Sequence, residues 1–238
     1  MSELKALLFD VDGTLADTER DGHRVAFNRA FAEAGLDWNW DVALYGELLA
    51  VSGGKERIRF YIEKWRPAFQ PTADLDAFIN ELHRIKTQHY LELMGQGLIP
   101  LRPGVARLLN EAREAGVRLA IVTTTTPENV TALLGSTLGD ASISWFDVIA
   151  AGDIVPAKKP APDIYFYALE QLGLDATACL ALEDSDNGLR SAAGAGISTL
   201  VTVNGYTRGQ DFSGAALVVD QLGDIDIPFL RQMLASPN

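Results

Sequence analysis

Residues 6 to 9 are uniformly apolar (Ala-Leu-Leu-Phe) and give way at once to Asp10-Val-Asp12-Gly13-Thr14. An unbroken apolar run of strand length, without polar alternation, is the pattern of a strand buried on both faces, as in a parallel sheet. The side-chain period of two then puts Asp10 and Asp12 on one side at its C-terminal end. From Ala16 to about Gln96 the spacing becomes helical: Phe27, Ala30, Phe31 and Ala34 fall on one face and Gly35 stops the run. Further helices are predicted over 41–50, 54–66 (ended by Pro67) and 74–93, the last opening after Asp74 and closing at Gly95. After Pro100 helix and strand alternate. A helix over 105–115 ends at Gly116, strands are predicted at 117–122, 146–150, 179–182 and 199–203, and helices at about 162–172 and 186–195. This rhythm predicts an α/β fold, a doubly wound parallel-sheet (Rossmann-like) core interrupted by an α-helical insertion. The core takes residues 1–15 and 97–238, and the insertion takes 16–96. The connections near 16–18 and 96–101 are expected to act as hinges.

Composition narrows the function. With 238 residues the chain suits a core domain carrying a smaller one, and 47% hydrophobic residues supply an ordinary globular interior. The net charge of −12 argues against nucleic acid or an anionic membrane as partner, so any anionic substrate must be held by local groups. One stretch reverses the sign: residues 53–66 carry Lys55, Arg57, Arg59, Lys64 and Arg66 against Glu56 and Glu63. Ser52-Gly53-Gly54 opening that helix leaves N–H groups suited to an anion, and Lys86 on the next helix is a further cation. The single cysteine, Cys179, lies in an apolar run and has no internal partner, which points to a reducing compartment. No apolar segment reaches membrane-spanning length. A cytoplasmic protein, expected to be a monomer, follows.

The candidate chemistry sits where strands end. Asp10 and Asp12 repel each other unless a donor or a cation lies between them, and Mg²⁺ is the natural cation. Thr123-Thr124-Thr125-Thr126 follows the VRLAIV strand and precedes Pro127, which opens a helix, a place where hydroxyls and N–H groups can hold a phosphate. In Lys158-Lys159-Pro160-Ala-Pro-Asp163 the prolines fix a loop and a lysine can project as a phosphate clamp. In Glu183-Asp184-Ser185-Asp186 hard oxygen ligands follow the ACLAL strand and suit Mg²⁺. Each stretch alone has an ordinary alternative, as a solvated loop or a helix cap.

In this order the four clusters resemble the haloacid dehalogenase superfamily of phosphotransferases over essentially the whole chain. The helical insertion is similar to a C1-type cap, and Lys159-Pro160-Ala-Pro-Asp163 with Leu182-Glu183-Asp184-Ser185 resembles the β-phosphoglucomutase group. Gly53-Gly54-Lys55-Glu56-Arg57 together with Lys158-Lys159-Pro160 is similar to the CbbY group. The last resemblance implies a sugar-bisphosphate phosphatase linked to carbon fixation in the Calvin cycle, acting on xylulose 1,5-bisphosphate, an inhibitor of Rubisco. It further implies Asp10 as nucleophile, Asp12 as acid and base, and Thr123 and Lys159 on the phosphoryl oxygens. Mg²⁺ would be held by Asp10, the Asp12 carbonyl, Glu183 and Asp184. Glu19, Gly53, Gly54, Lys55, Arg57, Lys86 and Thr124 would contact the substrate. β-Phosphoglucomutases carry a histidine where an ungapped alignment gives Gly22, with His23 one residue later, which counts against mutase activity. Glu19 resembles an acid directed at substrate hydroxyls and equally suits a helix first turn. A sugar phosphomutase, a phospho-acceptor signalling domain and a non-catalytic phosphate-binding protein remain alternatives, the signalling domain disfavoured by the long helical insertion.

Overall fold

The structure, a computed structural model, describes residues 3–71 and 74–235. The chain divides into two compact units, residues 1–17 with 100–238, and residues 18–99.

The first unit is built on a parallel sheet. Its strands are β1 (Ala6–Phe9), β2 (Arg118–Val122), β3 (Val148–Ala150), β4 (Cys179–Glu183), β5 (Ser198–Thr202) and β6 (Leu217–Val219), in the spatial order β3-β2-β1-β4-β5-β6. The uniformly apolar β1 is buried at every position because it is central and covered on both faces. Phe9 is in register with Ile121 on one side and Leu182 on the other, so Asp10, Thr123 and Glu183 leave the sheet along one edge. The chain steps outward from β1 to β2 and β3, then returns to the other side of β1 with β4. That reversal opens a crevice at the C-terminal strand ends, where open α/β sheets take their ligands. Helices α5 (Val105–Glu114), α6 (Pro127–Leu138), α7 (Asp163–Leu172), α8 (Asp186–Gly194) and α9 (Ile227–Ala235) complete the unit. Ala6, Leu8, Ala120, Val122, Ala181 and Tyr165 belong to one apolar cluster of its interior.

The second unit is helical: a π-helical turn Glu19–His23, then α1 (Arg24–Glu33), α2 (Val42–Leu48), α3 (Gly54–Trp65) and α4 (Leu75–Gly95). Asp74 caps α4 through the N–H groups of Asp76 and Ala77. Trp38 and Trp40 are buried in an aromatic cluster with Phe27, Phe31 and Tyr61, core residues in keeping with their helical surroundings.

Three secondary-structure elements differ from the sequence reading for local reasons. The start of the first helix is a π-turn at Gly22, whose backbone packs so close to Tyr90 and Ile99 that a Cβ would lie 3.2 and 3.0 Å from them. Strand β6 is a short, half-exposed edge strand, with no buried run to betray it. Helix α9 buries only Ile227 and Leu230, too few positions for a clear helical period. The division between units falls at 17/18 and 99/100 because Ala16 bridges to Leu101 and Arg102 N donates to Leu15 O at 2.8 Å within the first unit.

Cys179 is fully buried, and burial, helped by nearby Asp175 and opposed by Arg118, pushes its thiol up to about 11. Because the unfolded thiol titrates near about 8.5, the associated stability is full below that pH and is lost as pH rises toward 11. Native protein at pH 8 should therefore resist a thiol reagent that labels one equivalent in urea. Rapid native labelling, followed by absorbance, would show the site to be open.

Candidate active site

Asp10 ends the central strand with its carboxylate buried. Lys159, equally buried, reaches it from the loop before α7. Its Nζ donates to Asp10 Oδ1 at 2.8 Å, to Glu183 Oε1 at 2.7 Å and to the Val122 carbonyl at 2.8 Å. Tyr165 on α7 donates its hydroxyl to the same Glu183 oxygen. Burial would lower the lysine pKa, but Asp10 and Glu183 more than offset it and hold the ammonium charged, above the ordinary lysine value. Burial pushes Asp10 up to about 7, with Lys159 opposing and Glu183 and Asp12 adding to the rise. The site thus gathers more negative charge than its one lysine neutralises.

The turn after Asp10 is held from within: Val11 O accepts from the N–H groups of Thr14, Leu15 and Ala16. Gly13 has φ +88°, and a Cβ there would overlap the Asp184 carboxylate and the Asn204 amide. Only glycine allows this close approach without strain. Asn204, directly after Val203 at the end of β5, donates to Asp184 Oδ2 at 2.6 Å. Asp184 is in this way fixed between the turn and the neighbouring strand end.

Asp10, Glu183 and Asp184 each offer a carboxylate oxygen, all within 4.8 Å of one another, and all three residues are buried. Glu183 Oε2 is buried with no hydrogen-bond partner. Hard oxygens in excess of local positive charge, one of them orphaned, are what a divalent cation such as Mg²⁺ requires. The Asp12 carboxylate is outside this set, although Asp12 acts electrostatically on Asp10.

Thr123 is buried at the end of β2, its hydroxyl accepting from Thr125 N at 3.3 Å, and Thr124 beside it is half-buried. Asn129 secures Thr125 at 3.0 Å, and Thr126 is the N-cap residue of α6. The adjacent lysines divide their work. Lys159 enters the acid cluster, while Lys158 pairs with Asp153 at 2.6 Å and donates to the Gly152 carbonyl, fixing the loop.

Glu19, Gly53, Gly54, Lys55, Arg57 and Lys86 all lie in the helical unit. Tyr45 donates to Glu19, and Arg57 donates to the Tyr45 oxygen at 2.9 Å with Glu19 3.7 Å away, so buried Tyr45 and Arg57 join part-buried Glu19 in one group. Gly53, at φ +94°, starts α3 beneath the Glu56 carboxylate, and Gly54 packs against His83 and Phe27. Lys55 is half-buried in the first turn. Lys86 is buried, its Nζ 2.6 Å from His23 Nδ1 and facing the rings of Phe27 and Tyr90. Sequence reasoning missed Tyr45, Tyr165 and Asn204. Asn204 had a usable signal as a polar residue just past a strand, whereas the two tyrosines read as ordinary apolar helix positions.

A buried carboxylate just past the central strand, a buried lysine and a carboxylate cluster at the same sheet edge are the arrangement of a phosphatase of one family. The chain belongs to the haloacid dehalogenase-like hydrolases, whose family profile matches residues 4–196. Within that family it is 52% identical over 221 residues to the protein CbbY encoded on a plasmid of Cupriavidus necator, an alignment spanning 93% of this chain and 87% of that one. Two crystal structures of CbbY from Rhodobacter sphaeroides, each 46% identical, cover 95% of this chain and 99% of their own. One, in complex with phosphate, superposes with a TM-score of 0.88, and a mutant in complex with xylulose 1,5-bisphosphate with 0.89. Among the described residues no helix is long and apolar enough to cross a membrane.

Proposed function

We propose that the protein is a Mg²⁺-dependent phosphatase of sugar bisphosphates that converts xylulose 1,5-bisphosphate to xylulose 5-phosphate and inorganic phosphate. The observation that carries this reading is the buried Asp10–Lys159–Glu183 constellation in a chain so similar to a CbbY crystallised with that bisphosphate.

In the first step an Asp10 oxygen bonds to phosphorus as the bond to the sugar oxygen breaks, giving an aspartyl-phosphate. Asp12 delivers its proton to the departing alkoxide. In the second step Asp12 takes a proton from water, whose oxygen attacks phosphorus. The aspartyl bond breaks and phosphate leaves. Lys159 and Thr123 hold the remaining phosphoryl oxygens, with Thr124 beside them, and Lys159 also favours the ionised form of Asp10 against the burial that raises its pKa. Asp10, the Asp12 carbonyl, Glu183 and Asp184 would hold the metal. Bound there, Mg²⁺ supplies charge neutralisation for the nucleophile and the transferring group.

Glu19 is assigned to the sugar hydroxyls. The α3 N-terminus at Gly53 and Gly54, with Lys55, Arg57 and Lys86, is assigned to the second phosphate. Arg57 and Lys86 already hold intramolecular partners, which orients their cationic ends and lowers the entropy lost on binding. The lone, buried Cys179 supports action in the reducing cytoplasm, and the monomeric state is part of the same proposal.

Phosphate release from a panel of sugar mono- and bisphosphates, with and without Mg²⁺, tests this. Xylulose 1,5-bisphosphate should give the highest kcat/KM, and EDTA should abolish turnover. An isomerised sugar phosphate without net phosphate release would show a mutase. No phosphate from any substrate would leave a binding protein.

A further inference from the structure

We infer that Arg102, which lies outside every motif above, is a positioning residue that fixes the Asp10–Thr14 turn against Asp184. Its side chain is buried. One guanidinium nitrogen donates to the Gly13 carbonyl, to the Thr202 carbonyl at 3.0 Å and to the Thr202 hydroxyl at 3.3 Å. The other donates to the carbonyls of Val203 at 2.7 Å and Asp220 at 2.8 Å. Nε lies 3.5 Å from Asp17 Oδ1.

Two of these acceptors flank the site. Gly13 directly follows Asp12, and Val203 directly precedes Asn204, whose amide holds Asp184 at 2.6 Å. Gly13 packs on Asp184 and Asn204 with no room for a methyl group between them. The turn, Asp184 and Asn204 therefore form one stack, and the guanidinium grips the backbone on both sides of it. A planar fork with five N–H donors can join the ends of β5 and β6 to the turn after β1. A lysine ammonium, with three donors on a single atom, cannot span them. The Asp12-to-Asp184 distance, which sets both the proton donor and the metal ligands of the proposed reaction, is thus held by a residue that touches neither substrate nor metal.

Arg107 in the same unit is a built-in comparison. It donates to the carbonyls of Leu222 at 2.8 Å, Gly223 at 3.0 Å and Ile225 at 2.7 Å, and pairs with Glu111. None of these groups adjoins Asp10, Asp12 or Asp184. Both arginines tie carbonyls together, but only Arg102 ties those beside the acids.

The inference rests on the phosphatase site proposed above and is tested with R102K, R102M and R107K in the full chain. Urea stability, calorimetric binding of Mg²⁺ alone, and kcat and KM for xylulose 1,5-bisphosphate at saturating Mg²⁺ are measured for each. R102K should weaken Mg²⁺ binding and lower kcat by about ten- to a hundredfold, the usual cost of losing an outer partner of a ligand set, with KM changed far less. R102M should lose more. R107K, at a more exposed arginine, should lose less stability and keep Mg²⁺ affinity and kcat within about twofold of wild type, since no site group depends on it. If R102K keeps both quantities as R107K does, the positioning role is overturned. It is equally overturned if both Arg102 variants fail to fold where R107K folds, because the guanidinium would then serve the fold as a whole. A wild-type protein that neither binds Mg²⁺ nor releases phosphate fails the site reading itself, an outcome distinct from equality of the two arginines.

Discussion

Asp10→Asn is expected to lower phosphate release by roughly three orders of magnitude or more, the scale of loss when a covalent nucleophile is removed. The protein should remain folded. An amide nearly matches the carboxylate in shape, and its oxygen can still accept from Lys159, which now donates to Asp10 at 2.8 Å. The substitution removes an attraction to Lys159 and, with it, repulsions from Glu183 and Asp12. These changes oppose each other, so the urea midpoint should move little compared with the loss of turnover. Mg²⁺ should stabilise the variant less than wild type, because one of three clustered carboxylates has lost its charge. Steady-state phosphate release and urea melts, each with and without Mg²⁺, read all of this. Residual turnover within tenfold of wild type would move the nucleophile elsewhere.

The residues that announce themselves in the sequence are those whose position follows from a strand ending. Asp10, Thr123 and Glu183 each follow or end an apolar run, and the parallel register brings those ends to one edge of the sheet. Lys159 is legible for a related reason: a Lys-Pro loop before a helix has one crevice within reach. Residues acting across long separations gave no such sign. Arg102 holds a carbonyl 89 positions earlier in the chain and another 118 positions later, and nothing in its neighbours' spacing records either contact. Tyr165 is read locally as an apolar position of α7, and only the fold puts its hydroxyl on Glu183. The helical unit shows the same contrast. The hydrophobic period placed α1, α3 and α4, whereas the Glu19–Tyr45–Arg57 group joins three separate segments and became visible only in three dimensions.

Lys159→Met is expected to have the largest effect on stability, and its sign depends on pH. The ammonium is the one cation in direct contact with Asp10 and Glu183 among the described residues, and both acids are buried. Methionine fills much the same volume, so the loss is electrostatic rather than a cavity. Breaking a buried ion pair from one side costs about 3–5 kcal/mol, because the remaining charge has neither water nor partner. Asp10 is already pushed up to about 7 with the lysine in place, and without it burial and the neighbouring acids act unopposed. A carboxyl whose folded pKa lies above its unfolded value of about 3.9 favours the folded state fully below that value and withdraws the benefit as pH rises through the folded pKa. The variant should therefore lie nearest to wild type at pH 5, where Asp10 can hold a proton, and fall furthest behind at pH 8. Millimolar Mg²⁺ at pH 8 should restore part of the difference, since a divalent cation supplies the missing positive charge to the same carboxylates. Urea unfolding at the two pH values, with and without Mg²⁺, measures each term. A deficit independent of both pH and Mg²⁺ would mean that Lys159 stabilises the loop before α7 by packing, and that the acids of the site are neutralised by some other group.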